Sequence, residues 1–155
     1  MTKLQMVSEV HAPVRTVWEV LMDSSYIPKL YPDVISVEVE PPGRNAVGQK
    51  FHILGKAGKR RLEIYAETAE LISEKKVLSQ NRPGGLFKSF ESVILLESKG
   101  AVTEVKTSFE YELSMGYLGK VFNVMLLERL VMDNLKAYTR NLKEISELTS
   151  LPSDA

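Results

Sequence analysis

The side chains able to do chemistry in this sequence are few. His11 and His52 are its only histidines and cysteine is absent, which removes thiolate nucleophiles, disulfides, redox pairs and Cys-type zinc sites together. His11 precedes Ala12-Pro13 at the end of an expected strand and is expected in solvent. His52 lies between Phe51 and Ile53 and must face the side that they do not, so it is solvated if those two point inward. Neither HExxH nor a histidine pair at metal spacing occurs, so no metal site is expected. Ser89, Ser92 and Ser108 have no His and Asp companions for nucleophilic catalysis. Gly84-Gly85 and Gly116…Gly119 are turn or helix-entry glycines rather than phosphate cradles, because no GxGxxG or GxxxxGK[ST] run is present. No cofactor is expected. A general base needs a titratable group within reach of a substrate, and the sequence offers only Glu91, His52, Arg82 and Tyr111 as candidates.

Two charges stand out by position. Arg82 and Glu91 lie in strands flanking Pro83-Gly84, and a strand charge pointing inward is costly unless paired. Together they could anchor a polar ligand head; the simpler reading is two solvated charges. Lys56, Lys59, Arg60 and Arg61 cluster at another hairpin tip, where transient contact with anionic lipid headgroups stands beside plain solubility.

Composition narrows the partners. Twenty Lys and Arg balance twenty Asp and Glu among 155 residues, and duplex nucleic acid requires a net basic footprint that this chain lacks. The N-terminal Met1 to Val14 is broken by Lys3, Glu9 and His11 and does not read as a secretory signal. The longest apolar stretch, Val121 to Met132, is interrupted by Asn123, Glu128 and Arg129 and is shorter than the ~20 residues of a membrane span. A cytoplasmic protein, monomer or homodimer, is the expectation.

These side chains must be positioned by elements that the pattern separates clearly. Leu4 to His11 alternates as a strand. Pro13 suits a first helical turn, and Val14, Val17, Trp18 and Leu21 recur at helical spacing. A short turn of helix from Tyr26 to Leu30 stops at Pro32. Strands follow at Val34–Glu40, Gln49–Lys56, Arg60–Leu71, Val77–Arg82, Leu86–Leu96 and Val102–Leu113. Their connections are all of hairpin length, which excludes parallel βαβ units. In the last strand Val105, Thr107, Phe109, Tyr111 and Leu113 share one face against Glu104, Lys106, Ser108, Glu110 and Glu112, so the sheet has a dry side and a wet side. A helix from about Tyr117 to Leu148 would run roughly 45 Å at about 1.5 Å per residue and must cross the whole molecule. Its first half is apolar nearly all round, from Val121 to Met132, which predicts burial on more than one side. One domain, residues 1–148, is expected, with a flexible tail over 149–155.

The order of strand, two short helices, antiparallel strands and long C-terminal helix resembles the START-like, Bet v 1-like superfamily. The residues that carry the likeness are Val7 to Asp23 (VSEVHAPVRTVWEVLMD), Tyr26 to Val34 (YIPKLYPDV), Leu95 to Val105 and the run from Leu118 to Lys143. The chain looks most like the polyketide cyclase/dehydrase branch. Tyr26 to Val34 is also similar to the quinone-binding branch, although Lys29 and Tyr31 depart from its pattern. The resemblance implies an α+β helix-grip fold, a curved antiparallel sheet of about seven strands wrapped around the long C-terminal helix. It also implies a cavity between sheet and helix. Mapped onto this chain, the lining would come from Phe90, Ser92, Ile94 and Leu96, from Thr107, Phe109 and Tyr111, and from Phe122, Met125 and Met132. Apolar side chains with a few hydroxyls suit a small-molecule pocket; the alternative is that they pack a solid core. Three functions remain open: a noncatalytic carrier for a lipid, isoprenoid or polyketide-like compound; a cyclase or dehydratase; and a docking module presenting the apolar half of the helix.

Overall fold

Alternation and proline placement divide the chain as the sequence predicts. A computed structural model describes residues 1–116 and 124–150. Strand β1 (Thr2–Val10) leads into helix α1 (Val14–Met22), a single 3-10 turn (Ser24–Tyr26) and the short α2 (Ile27–Leu30). Six strands follow: β2 (Val34–Glu40), β3 (Lys50–Ala57), β4 (Arg60–Ile72), β5 (Lys76–Asn81), β6 (Phe87–Lys99) and β7 (Val102–Leu113). Helix α3 (Val124–Ser150) ends the description. The strands form one antiparallel sheet in the order β1-β7-β6-β5-β4-β3-β2, curved around α3 in the helix-grip arrangement.

Each strand sends alternate residues to the concave side. On β7, Thr103, Val105, Thr107, Tyr111 and Leu113 are buried while Lys106, Glu110 and Glu112 face water. One glycine fixes where β6 begins. Gly85 has φ +79°, and a Cβ there would collide with the Glu63 carbonyl oxygen, the same oxygen that accepts the Leu86 N–H at 2.8 Å. The β5–β6 connection is thereby pinned against β4, which brings Phe87 and Phe90 onto the concave side. Phe87 there presents edges to Phe90, Phe109 and Tyr111 at centroid distances of 5.3 to 5.6 Å.

Helix α3 makes its close backbone approaches to β1, α1 and α2 and stands off the middle of the sheet. Leu127, Val131, Leu135, Tyr138 and Leu142 form the buried stripe. The expectation of all-round burial fails for the first turn: Val124, Met125 and Leu126 are 44%, 76% and 58% exposed. Only the side of the helix facing the grip is covered, so apolar character alone did not imply burial there. Val121 and Phe122 lie outside the described residues. Thr149 and Ser150, expected in a tail, belong to the helix, their hydroxyls donating to the carbonyls of Ile145 and Glu147.

Candidate functional site

Because α3 lies over β1 and away from β4 to β6, the core is divided. One buried cluster gathers Val17, Trp18, Leu30, Ile94, Val105, Tyr138 and Leu142. The other gathers Phe51, Leu62, Phe87, Phe90, Tyr111, Leu127 and Val131. Between them is a cavity of about 250 Å³. Larger depressions, about 830 and 590 Å³, lie elsewhere and open to solvent. The first of these is bordered by Arg44, which holds Glu19 through two hydrogen bonds of 2.6 and 3.1 Å. The volume between helix and sheet is the candidate site, because it is walled mainly by apolar side chains from both layers.

The floor follows from strand parity. Phe90, Ser92 and Ile94 of β6 and Thr107 and Phe109 of β7 line the cavity. Phe51 and Ile53 of β3 and Leu62, Ile64 and Ala66 of β4 extend it toward the β2 edge. The roof is Leu130, Val131, Asn134, Leu135 and Tyr138 of α3, with Leu30 and Tyr31 closing one side. Asn141 donates to the Leu30 carbonyl at 2.9 Å, fixing α2 against α3.

The remaining sequence candidates lie elsewhere. Glu91 is exposed, since it falls between Phe90 and Ser92 and strand side chains alternate. Arg82 is half-buried just past the end of β5 and does not line the cavity. Tyr111 is 1% exposed but packs beyond the cavity against Phe87 and Phe109; burial first, then the nearby Glu128 charge, pushes its phenol up. Leu96 is buried in the first cluster, not at the cavity wall. Met132 is half-buried on a side of α3 turned from the cavity, and Met125 is exposed. Phe122 lies outside the described residues. His52 is on the convex face, as its neighbours Phe51 and Ile53 require. It stacks on Tyr65 at 4.5 Å, with Glu38 and Glu63 at 3.5 and 3.3 Å. None of the four groups that the sequence offered as acid or base therefore reaches the cavity.

What sequence reasoning missed is the polar trim of the wall. Tyr31 and Tyr138 face each other with centroids 4.9 Å apart. Burial pushes the Tyr31 phenol up to about 12, and burial together with Tyr31 pushes Tyr138 well above its ordinary value. Thr68, 1% exposed, donates its hydroxyl proton to Asn45 Oδ1 at 2.7 Å. Asp23, also at the wall, accepts from the backbone and hydroxyl of Ser25, and these bonds hold its carboxyl below the usual range. Tyr138 lies on the buried stripe of α3, but nothing in the local sequence pattern pairs it with Tyr31. Among the described residues no group of His, Cys, Asp and Glu could hold a metal ion.

These features have relatives. The family model for polyketide cyclase/dehydrase and lipid transport matches residues 1–147. No curated protein matches the chain. Among solved structures, an aromatase/cyclase, Zhui, from Streptomyces sp. R1128 superposes with TM-score 0.82 at 14% identity, covering 99% of this chain and 98% of that one. A START superfamily protein from Mycobacterium smegmatis gives 0.74 at 14%, covering 94% and 97%. The ginseng (Panax ginseng) major latex-like protein 151 gives 0.68 at 18%, covering 97% and 98%. Identities this low speak for the fold alone, whereas the family match spans nearly the entire sequence. With the divided core and the cavity beneath α3, the chain belongs to the polyketide cyclase/dehydrase and lipid-transport family.

Proposed function

We propose that the protein binds and carries an uncharged hydrophobic small molecule in the cavity between the sheet and α3, without transforming it. The observation that carries this reading is the composition of the wall. Phe, Leu, Ile, Val and Ala make up most of it, and no histidine lines it among the described residues. Two of the described acidic residues border it, Asp23 and Asp33; Asp23 is engaged by Ser25, and a base with a lowered pKa is a weak one near neutral pH. A pocket that is mostly apolar with a few placed polar groups suits retention of a ligand. The cavity is slightly smaller than the ~300–1,000 Å³ of drug-sized sites, which favours a small, compact occupant. No described helix is long and apolar enough to cross a membrane.

Native mass spectrometry of gently purified protein tests the proposal, followed by solvent extraction of whatever is bound. One apolar molecule per chain, released intact and unaltered after prolonged incubation, is the expected result. Conversion of that molecule into a product would replace the carrier reading with the cyclase/dehydratase one. A bare mass both before and after incubation with small apolar compounds would overturn binding altogether.

A further inference from the structure

The floor of the cavity is not uniformly apolar, and its polar residues are aligned. Across the β4–β5 ladder Thr68 pairs with Ser79, and across β5–β6 Ser79 pairs with Ser92. Three hydroxyl residues thus stand side by side on adjacent strands, at the close spacing of cross-strand neighbours. Thr107, on β7, is one step from this row, opposite Ile94. All four line the cavity.

Their hydrogen bonds are incomplete in one direction. Thr68 gives its proton to Asn45, which leaves its oxygen as an acceptor. Thr107 is 3% exposed, and its Oγ1 has no hydrogen-bond partner among the described residues. A buried hydroxyl without a partner is costly, and a valine of the same shape would avoid that cost. A row that served only to pack the core would be better built from Val and Ala.

We infer that the Ser92 and Thr107 hydroxyls, diagonal neighbours on β6 and β7, form an anchor for one uncharged oxygen of the ligand, a ketone or hydroxyl group on a compact apolar skeleton, with Ser79 and Thr68 continuing the polar row beyond it. The inference rests on the carrier reading and narrows it. Hydroxyls both donate and accept, so they match a carbonyl or an alcohol equally. A carboxylate would need a cation, and among the described residues the one at the wall is the exposed Lys56. Lys56 pairs with Arg61 of β4, seven residues along that strand from Thr68 and thus about 23 Å away at ~3.3 Å per residue. Asp23 and Asp33 also border the cavity, and their negative charge disfavours an anion further. Fatty acids are therefore poor candidates, and neutral oxygenated rings good ones.

Three probes of one skeleton separate these cases: naphthalene, 2-naphthol and 2-naphthoate, each titrated calorimetrically into the intact protein. The expected order is naphthol about tenfold tighter than naphthalene, the effect of one well-made neutral hydrogen bond, with naphthoate weakest. The double variant Ser92→Ala/Thr107→Val should bring the naphthol-to-naphthalene ratio close to one. Ser108→Ala, on the opposite face of β7 where its hydroxyl accepts from Gln5, should retain the preference. Equal binding of naphthol and naphthalene by the unaltered protein, or a preference that survives in the double variant, would overturn the anchor while leaving the cavity as a binding site. If none of the three probes binds, the carrier reading fails and the anchor with it. Melting curves of each variant show that a change in ratio is not loss of fold.

Discussion

A phenol shut away from water resists giving up its proton, and the Tyr31–Tyr138 pair makes that resistance measurable. Burial pushes Tyr31 up to about 12, and burial together with Tyr31 pushes Tyr138 well above its ordinary value, against about 10 in an unfolded chain. Where the folded value exceeds the unfolded one, the stabilisation is complete below pH 10 and is lost as pH rises toward the folded value. Each pH step within that window costs about 1.4 kcal/mol, so Tyr31 alone should remove up to about 3 kcal/mol of stability between pH 10 and 12. Denaturant melts over that range check this, with Tyr31→Phe expected to flatten the slope; an unchanged slope would mean that the Tyr31 hydroxyl is in contact with water. At this scale the sequence was informative wherever a residue sat in a regular strand. Alternation alone put Thr107 and Phe109 on the dry face of β7 and grouped Phe90, Ser92 and Ile94 on one face of β6, but which face of β6 points inward came only from the family resemblance. Glu91 could have been set aside by the same argument once Phe90 was placed inward. Tyr31 and Asn45 could not be read, because each reaches the wall from an irregular segment whose direction depends on contacts distant in sequence.

Elements are held to one another here by a small number of charged and polar clamps. The most connected joins the end of β1 to the end of α3. Glu147 accepts from the His11 backbone N–H at 2.8 Å and from Lys143 at 2.6 Å, while Lys143 also donates to the Glu9 carbonyl at 2.8 Å. The Lys143 bond first, then the His11 bond, holds the Glu147 carboxyl below its ordinary value. A depressed carboxylate contributes stability above its unfolded pKa and loses it as pH falls through the folded one. Glu147→Ala should therefore cost about 1 kcal/mol at neutral pH, a partly exposed charge-assisted bond being worth no more. The difference from the unaltered protein should shrink below about pH 4.5, the unfolded glutamate range. A gap that stays constant on acidification would assign the loss to packing instead. The clamp explains why the helix continues through Thr149 and Ser150 when composition suggested a tail: its last turns are tied down by His11, the residue that follows β1, 136 positions away in sequence. Strand boundaries, by contrast, were legible to within a few residues, since alternation and turn glycines are local signals. The exposed start of α3 shows the limit of local signals, because Val124, Met125 and Leu126 look like core until their position relative to the sheet is known.

For the whole molecule, the curved sheet and the stand-off of α3 amount to a core with a missing centre. Close-packed interiors normally have few voids larger than a water molecule, and lining atoms around a void forfeit contacts on one side. The cavity is thus a stability deficit, retained if the space is for a ligand. Ala66 decides between this and a merely loose core. It is 8% exposed, belongs to the second apolar cluster and lines the cavity from the middle of β4, directly opposite Phe51. Leucine at this position would project into the open volume. Burying additional methylenes is worth about 0.8 kcal/mol each, so Ala66→Leu should stabilise the ligand-free protein by about 1–2 kcal/mol. That corresponds to a melting temperature a few degrees higher for a domain of this size. The same variant should lose affinity for naphthol and for any copurifying ligand. If the space instead collapses in solution, the added bulk overpacks the core and costs about 1–3 kcal/mol, and the melting temperature falls. Higher stability together with lost binding is the combination that only a real, functional cavity produces.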